Sequence, residues 1–198
     1  RKNINSFIKQ YKIGSVLRFK GIKEGIENTN YFVQTSEGKF ILTIFEKRVQ
    51  KKDLPFFMKL MENLNKNNFQ CPKPIKNIKG KYISSIKKKP AAIVTFLSGY
   101  SKNNLNPDNC FNVGIQVAKF HSITKKLFIK RDNSLSLLSW EKLFQKVEKE
   151  CVKIGKNLPL TIKQSLAEIK KNWPKKLPGG IIHADLFPDN IFFKNNDF

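Results

Sequence analysis

The first half of the chain contains short runs of apolar, β-branched and aromatic residues, which are typical of β-strands. Such runs cover residues 16–20, 31–35, 39–45, 81–85 and 91–97. The second and third runs are joined by "SEGK", in which Gly38 can supply the positive φ that a tight hairpin needs. An amphipathic stretch at residues 51–68 separates the third run from the fourth. The pattern predicts a mostly antiparallel sheet with one inserted helix.

Helical spacing marks the remaining elements. A short helix is predicted in "INSFIKQYKIG", ending at Gly14, and the inserted helix has Asp53 as a possible N-cap. The apolar stripe of that inserted helix comprises Phe57, Leu60, Met61 and Leu64. Beyond residue 101 the pattern predicts helices over residues 107–122, 139–152 and 160–173, and "LPGGIIHADLFPDNIFF" then predicts strand, loop and strand.

This order of elements predicts an α+β protein with two lobes. Residues 1–97 form the sheet-containing N-terminal lobe, and residues 98–198 form a mainly helical C-terminal lobe. The pattern changes from strand to helix near residues 97–101, which places a cleft there. Ligands often bind between such lobes.

Composition narrows the function classes. The 198 residues are 40% hydrophobic, which is enough for a core, and the net charge of +23 would normally suggest nucleic acid. The lysines are spread along the whole chain and accompany many Asn, Ile and Phe residues, so we predict no specific nucleic-acid partner. Because no run of about 18 apolar residues occurs, we also predict no membrane span.

The cysteines and the chain ends suggest a cytoplasmic location. Cys71, Cys110 and Cys151 are widely spaced and lack His or Cys neighbours at metal-ligand intervals, so reduced thiols are expected rather than disulfides or zinc. The sequence opens without Met or an apolar stretch, which argues against a signal peptide. Since it stops at Phe198 directly after a strand-like run, we expect it to be an excerpt of a longer protein.

The stretch "IIHADLFPDN" carries the strongest candidate chemistry. Asp185 and Asn190 stand at the D-x-x-x-x-N interval of a kinase catalytic loop, in which the Asp reaches the acceptor hydroxyl and the Asn reaches a metal on the nucleotide phosphates. His183 takes the position of the kinase His, which packs and orients the loop. The alternative interpretation is an ordinary turn, where Asp and Asn are common.

The stretch "HADLFPDNIFF" resembles the corresponding loop of the aminoglycoside phosphotransferase and choline kinase group. Three other stretches, "GIENTNYFV", "DLPFFMKLM" and "KPAAIVTFLSG", agree in order, and the first two look most like the homoserine kinases related to that group. The resemblance covers nearly the whole chain. It implies a protein-kinase-like two-lobed fold that uses ATP and Mg²⁺ to phosphorylate the hydroxyl of L-homoserine in threonine biosynthesis.

The resemblance also implies roles for particular residues. Asp185 would be the base or orienter for the acceptor hydroxyl, Asn190 a magnesium ligand, and Asp189 a carboxylate that stabilises the loop. Cofactor-binding residues would come from a phosphate-covering turn and from the backbone of an inter-lobe hinge that meets the adenine edge: Gly25, Glu27, Asn28, Thr29, Asn30, Phe96 and Leu97. A plain polar hairpin loop and an apolar strand end are the alternatives for these two segments.

The chain departs from the kinase pattern at the third strand, where Thr43 occupies the usual Lys position. The resemblance implies that this Lys is also absent from the homoserine kinases. Glu62 is then left without its usual partner, and Lys47 or Arg48 could substitute only if the strand bends. A second metal-binding Asp is expected beyond residue 198, because Asp197 follows Asn190 too soon and is interpreted as a turn residue.

Some conspicuous side chains are predicted to be structural. His121 shares an apolar helix face with Phe111, Ile115 and Ala118, which favours packing over catalysis, and Trp140 and Trp173 are predicted to lie in the core. Two other functions stay open at this point. One is the same fold acting on choline or an aminoglycoside, and the other is a basic binding protein that does not catalyse.

Overall fold

The computed structural model describes residues 2–23, 28–46 and 50–194 of the chain. The chain forms two compact units, a sheet unit made of Arg1–Lys130 with Gly180–Phe198 and a helical-pair unit made of Arg131–Gly179. The lobe boundary at residues 97 and 98 stays a prediction. Gly25, Glu27, Lys47, Arg48 and Asp197 lie outside the described residues.

The described part of the sheet unit contains a six-stranded antiparallel sheet, which confirms the predicted fold class. The strand order is β1-β2-β3-β6-β4, with β5 paired to β6. The strands are β1 (Val16–Ile22), β2 (Asn28–Thr35), β3 (Gly38–Phe45), β4 (Pro74–Ile75), β5 (Ile83–Ile86) and β6 (Lys89–Thr95). Strand β4 was not predicted, because it has only two residues and one of them is a proline.

Five α-helices accompany the sheet in the described residues: α1 (Lys2–Ile8), α2 (Leu54–Lys66), α3 (Pro107–Thr124), α4 (Leu137–Ile154) and α5 (Leu158–Asn172). Helix α1 ends at Ile8 and not at the predicted Gly14, because Tyr11 leaves the helix to form an antiparallel bridge with Asn77. Gly14 instead has a φ of +78°, and a Cβ there would lie 2.1 Å from the Ser36 hydroxyl oxygen. Both conditions require glycine at this position.

Helix α2 begins after a short 3₁₀ turn, Lys51–Asp53. Asp53 does occupy the N-cap position, with a helical backbone conformation (φ −86°, ψ −21°) because the chain enters α2 from that turn. The buried positions of α2 are Leu54, Met58 and Leu64. Of the predicted stripe, only Leu64 is fully buried, and Phe57, Leu60 and Met61 are half-buried.

The two faces of the sheet are different. One face packs on α1 and forms the core, whose members include Ile4, Phe7, Ile8, Val33, Leu42 and Ile93. Because side chains alternate along a strand, the residues between these core positions face the opposite way. One row of paired residues on this opposite face runs across the sheet through Ile22, Asn30, Thr43, Ala92 and Ile83.

Helix α3 is capped at its start by Asn106, whose side chain accepts a hydrogen bond from the backbone N–H of Asn109. The predicted burial of His121 is wrong for the described chain. His121 is exposed, as are Phe111, Ile115 and Ala118 on the same face. Helix α3 turns its other stripe inward, and Phe120 from that stripe packs edge-on against Phe69 with ring centroids 5.9 Å apart.

In the helical-pair unit, α4 and α5 pack against each other. The ring of Trp140 meets that of Trp173 edge-on at 5.8 Å between centroids. Trp140 is half-buried, whereas Trp173 remains 42% exposed, so the predicted core position holds only in part. Across the described residues of both units, no helix is long and apolar enough to cross a membrane.

The predicted strand before the candidate loop is also wrong. Residues 176–187 have no regular hydrogen-bonded structure, and the segment after the loop makes an isolated bridge between Tyr100 and Phe193. An apolar run such as Ile181-Ile182 becomes a strand only when a neighbouring strand can pair with it. No strand among the described residues pairs with the segment that contains Ile181 and Ile182.

Candidate active site

The candidate loop brings together the two residues that the sequence singled out. The amide Nδ2 of Asn190 donates hydrogen bonds to the backbone carbonyl and to the Oδ2 of Asp185, both at 2.9 Å. A 3₁₀ turn at Pro188–Asn190 brings the chain back, and Ala184 takes a left-handed conformation with a φ of +65°. A non-glycine residue in that region is uncommon and is often found at functional sites.

These hydrogen bonds fix how the amide of Asn190 points. Since Nδ2 faces Asp185, the Oδ1 of Asn190 is directed away from that carboxylate. An amide oxygen is the kind of hard oxygen donor that Mg²⁺ prefers. No group of three or more His, Cys, Asp or Glu residues in the described parts of the chain could hold a metal. The Oδ1 of Asn190 is thus a single oxygen donor of the type that fits Mg²⁺, and the remaining ligands would have to come from other groups, such as nucleotide phosphates.

The end of the loop is fastened to the segment after β6. The N–H of Tyr100 donates to the carbonyl of Phe193 at 3.0 Å, and the N–H of Phe193 donates to the carbonyl of Tyr100 at 2.9 Å. Phe193 is completely buried and Ile191 nearly so. The ammonium of Lys102 lies 4.7 Å from the centre of the Phe193 ring. These contacts anchor the C-terminal side of the Asp185–Asn190 loop.

Gly99 makes this anchoring possible. A Cβ at Gly99 would lie 3.1 Å from both the Cβ of Phe192 and the carbonyl oxygen of Phe193. Those distances are shorter than ordinary contacts, so a side chain at this position would require its neighbours to shift by a few tenths of an ångström. The sequence signal was present in "LSGYS", but its partner lies more than 90 residues further along the chain.

The other loop residues are open to solvent. His183, Asp185 and Asp189 are all exposed, which leaves the acidic groups accessible to a substrate. The resemblance implies that His183 packs against the loop, but the side chain of His183 is exposed, so burial does not support that role. Asp189 lies within the 3₁₀ turn, where a loop-stabilising role remains a proposal.

The described part of the predicted phosphate-covering turn is the start of β2. The hydroxyl of Thr29 donates to the Oε1 of Glu46 at 2.9 Å, and the Oδ1 of Asn28 accepts from the backbone N–H of Glu46 at 3.4 Å. A hydrogen bond from Lys89, with a second from Thr29, lowers the pKa of the Glu46 carboxyl. These contacts tie the β2 end of the turn to the end of β3.

Asn30, the last of the predicted turn residues, lies within the sheet. Its Oδ1 accepts a hydrogen bond from the hydroxyl of Thr43 at 2.9 Å. The two residues are directly paired across β2 and β3. The residue at the usual Lys position is therefore in contact with the end of the turn, a link that sequence spacing alone did not reveal.

The predicted hinge follows β6 directly. The N–H of Phe96 donates to the carbonyl of Lys39 at 3.0 Å, and its ring packs edge-on against Phe32 with centroids 5.1 Å apart. Leu97 is 44% exposed. Because the Phe96 N–H is used by the sheet, the proposed adenine contact rests on the other backbone groups of Phe96 and Leu97.

Glu62 interacts with other residues in place of a third-strand Lys. The hydroxyl of Tyr82 donates to its carboxylate, and Lys66 and Lys76 lie 3.5 Å and 3.7 Å from its Oε1. The Tyr82 hydrogen bond is the main cause that lowers the pKa of Glu62, and the two lysines add to it. Burial and the neighbouring carboxylate raise the pKa of Tyr82.

A β-sheet lobe followed by a loop in which Asp and Asn are joined at the kinase interval defines a phosphotransferase of the kinase-like class. Residues 18–198 match the model of the Phosphotransferase enzyme family, and the chain belongs to that family. The predicted resemblance is thereby confirmed.

Curated relatives make the comparison more specific. The chain is 42% identical to a homoserine kinase of Methylobacterium radiotolerans over 94% of its own length and 58% of the relative. It is also 42% identical to a homoserine kinase of Bartonella tribocorum over 98% of its own length and 61% of the relative. The chain thus spans about three fifths of the length of these relatives.

Solved structures support the fold. A spectinomycin phosphotransferase in complex with ADP and spectinomycin matches with a TM-score of 0.58 at 12% identity, over 98% of this chain and 65% of that one. Plasmodium vivax ethanolamine kinase matches with a TM-score of 0.61 at 16% identity, over 89% of this chain and 52% of that one. At such identities the likeness establishes only the fold.

Proposed function

We propose that the protein containing this chain transfers the γ-phosphoryl group of ATP to the side-chain hydroxyl of L-homoserine, as a step of threonine biosynthesis. The observation that carries the proposal is the hydrogen-bonded pair of Asp185 and Asn190 in a chain whose 42%-identical relatives are named homoserine kinases. The accessible carboxylate and the fixed amide are the two groups that this chemistry needs from one loop.

In this mechanism Asp185 accepts or orients the hydroxyl proton of the acceptor, which makes the oxygen a better nucleophile toward the γ-phosphorus. Asn190 holds the Asp185 carboxylate in place through Nδ2 and offers Oδ1 to Mg²⁺. When bound, Mg²⁺ would neutralise charge on the phosphate oxygens. The anchoring at Tyr100 and Phe193 keeps the loop in position relative to the segment that follows β6.

The nucleotide is proposed to lie under the turn between β1 and β2 and beside the backbone at Phe96 and Leu97. Among the described turn residues, Asn28, Thr29 and Asn30 are already ordered by Glu46 and Thr43. Gly25 and Glu27 belong to the same proposed site. Fixed polar groups bind phosphates with less loss of entropy than mobile ones.

The proposed setting is the cytoplasm, with ATP and L-homoserine as small-molecule partners and no specific nucleic acid. The free thiols of Cys71, Cys110 and Cys151 are compatible with a reducing compartment. Burial raises the pKa of the Cys71 thiol to about 11, so this side chain remains protonated at neutral pH. The dispersed lysines support a basic surface without one concentrated binding patch.

A coupled assay of ADP release tests the proposal. The full gene product that carries these 198 residues is supplied with ATP, Mg²⁺ and one acceptor at a time: L-homoserine, choline or kanamycin. We expect turnover with L-homoserine to exceed that with the other acceptors. Equal or faster turnover of choline or kanamycin would contradict the homoserine assignment.

A further inference from the structure

The position that kinases usually give to the third-strand Lys is occupied here by a polar, uncharged side chain. Thr43 on β3 is paired with Asn30 on β2 and with Ala92 on β6, in a row of the sheet face opposite α1. The α1 face is filled by core side chains and cannot admit a ligand. Asn30 and Thr43 are half-buried on the opposite face, and they are the polar members of this row.

The hydrogen bond between the two side chains determines which end of the amide is presented. The Thr43 hydroxyl donates to the Oδ1 of Asn30 at 2.9 Å, so the oxygen of the amide is held against β3. The Nδ2 group of Asn30 is then directed away from Thr43. An amide NH₂ group is a double hydrogen-bond donor, which suits anionic oxygens.

The neighbouring residues place this donor next to the proposed nucleotide site. Asn30 directly follows Asn28 and Thr29 at the β2 end of the turn between β1 and β2. On the same face, the next row contains the apolar residues Phe32, Ile41 and Val94. The Asn30 amide therefore lies between the turn and an apolar strip of the sheet.

Among the residues that the structure describes, Glu62 forms no ion pair with a cation on β3. Its carboxylate is engaged by Tyr82, Lys66 and Lys76. A kinase-type pair would need this carboxylate to meet a cation on β3, and the residue at that position, Thr43, carries no charge.

We propose that Asn30 donates a hydrogen bond from Nδ2 to a phosphate oxygen of the bound nucleotide, and that Thr43 is a positioning residue that holds the Asn30 amide in this orientation. A neutral, oriented amide thus takes over part of the task that a lysine ammonium performs in kinases. The inference rests on the proposed function in requiring ATP as the nucleotide and in placing it under the turn between β1 and β2.

Direct binding of ATP, measured by displacement of a fluorescent ATP analogue from the full gene product, tests this inference without any acceptor. Asn30→Ala is expected to raise the Kd for ATP about 10- to 100-fold, since a hydrogen bond to a charged group is lost. Thr43→Val, which keeps the side-chain shape and removes the hydroxyl, is expected to raise the Kd about 5- to 10-fold. Thr43→Ser should restore binding close to that of the parent.

The matched control is Thr95→Val. Thr95 lies on β6 and is paired with Phe40, so it faces the α1 side, and its hydroxyl oxygen accepts from the backbone N–H of Lys73. Loss of this hydroxyl should lower the melting temperature without changing the Kd for ATP. Melting curves of all variants separate a change in binding from a change in folding.

The double variant Asn30→Ala/Thr43→Val should bind ATP as weakly as Asn30→Ala alone, because Thr43 acts through Asn30. Parent-like ATP binding by folded Asn30→Ala would overturn the inference, as would equal losses in Thr43→Ser and Thr43→Val. If the parent binds ATP but does not phosphorylate homoserine, the proposed acceptor is wrong and the inference about Asn30 stands. If the parent binds no ATP, both are wrong.

Discussion

Asp185 and Asn190 show how two residues can be held ready for chemistry by one amide group. The Nδ2 of Asn190 bonds to both the backbone and the side chain of Asp185, so rotation of either side chain would break a hydrogen bond. Both residues nevertheless remain exposed and can reach a substrate. Such pre-organisation reduces the entropy lost when the reacting groups are brought together.

The role of Asp185 can be separated from its structural contacts by the substitution Asp185→Asn. The new amide can still accept the Asn190 hydrogen bond through its oxygen, so the loop geometry should be kept. Without a carboxylate to receive or orient the hydroxyl proton, turnover should fall by about 10²- to 10⁴-fold while ATP binding is retained. Initial rates and nucleotide affinity, measured on the same preparation of the full gene product, check both parts.

Asp189→Asn is the matched control, since it removes the neighbouring carboxylate from the same loop. It should reduce turnover far less than Asp185→Asn. Near-parent turnover in the Asp185→Asn variant would return the loop to the interpretation of an ordinary turn.

Gly99 supports a second prediction at the scale of one residue. In Gly99→Ala the added methyl group would meet Phe192 and the Phe193 carbonyl at 3.1 Å. Overpacking of this kind typically costs about 1–3 kcal/mol, and here it would strain the bridge that anchors the loop. We expect a lower free energy of unfolding in denaturant titrations and a loss of turnover larger than the loss of ATP affinity.

Gly114→Ala provides the contrast. Gly114 lies inside α3, and a Cβ there would meet no atom within 4 Å. Alanine in a helix interior is favoured over glycine by roughly 0.5–1 kcal/mol, so this variant should be stabilised. If Gly99→Ala and Gly114→Ala changed the free energy of unfolding equally, the close approach at Gly99 would not contribute to stability.

At the scale of elements, the sequence was informative where the pattern is local. The hairpin between β2 and β3 was predictable because two strand-like runs and the glycine turn that joins them lie within one short stretch. Asp185 and Asn190 could be singled out because they stand at a fixed interval, whereas that interval did not specify the hydrogen bond between them. The bridge between Tyr100 and Phe193 was not predictable, because two distant segments meet there and neither alone signals a partner.

Helix α3 shows the limit of periodicity. The stripe of Phe111, Ile115 and Ala118 correctly indicated a helix, but periodicity does not say which apolar stripe will find a partner. In the described chain the stripe that includes Phe120 is covered instead, through contact with Phe69. Likewise, the partners of Glu62 come from α2, from the residue after β4 and from the residue before β5, and no spacing rule would have joined them.

The contacts of Glu62 couple α2 to the edge of the sheet in a pH-dependent way. Its pKa lies below the ordinary value of 4.5, so the ionised form is favoured by folding. The resulting stabilisation is complete above pH 4.5 and is lost as the pH falls through the lowered pKa of the folded state. Because solvent screens the partly covered carboxylate, the contribution should be at most about 1 kcal/mol.

Glu62→Gln should therefore lower the melting temperature at pH 7, and the difference from the parent should shrink toward pH 3. Glu168→Gln, an exposed position on α5, controls for the general loss of one acidic charge in this basic protein. Melting curves by circular dichroism across the pH range decide the matter. A difference for Glu62→Gln that stayed constant from pH 7 to pH 3 would mean that ionisation of Glu62 does not contribute.

At the scale of the whole molecule, the dominant property is charge. The 38 Lys and Arg residues outnumber the 15 Asp and Glu residues, which gives a net charge of +23. Some of these cations form ion pairs with acidic side chains, such as Lys89 with Glu46 and Lys163 with Glu148. The excess that remains is distributed over both units, and it creates a long-range attraction for anions.

Such a distributed charge should attract nucleic acid without reading its sequence. Binding that depends on phosphate contacts alone releases counterions and weakens steeply with salt, by about 10³- to 10⁵-fold between 50 and 200 mM for a protein that makes 6–10 contacts. We therefore expect two duplexes of unrelated sequence to bind equally weakly at 50 mM salt, and binding of both to disappear by 200 mM. Fluorescence polarisation with labelled duplexes measures this directly, and ATP binding under the same conditions serves as the internal control.

A specific nucleic-acid surface would instead bind one duplex preferentially and retain that preference at the higher salt concentration, because base contacts do not depend on counterion release. That result would contradict the small-molecule kinase as the sole function of this chain, and it would require a concentrated cationic surface where the sequence shows only dispersed lysines.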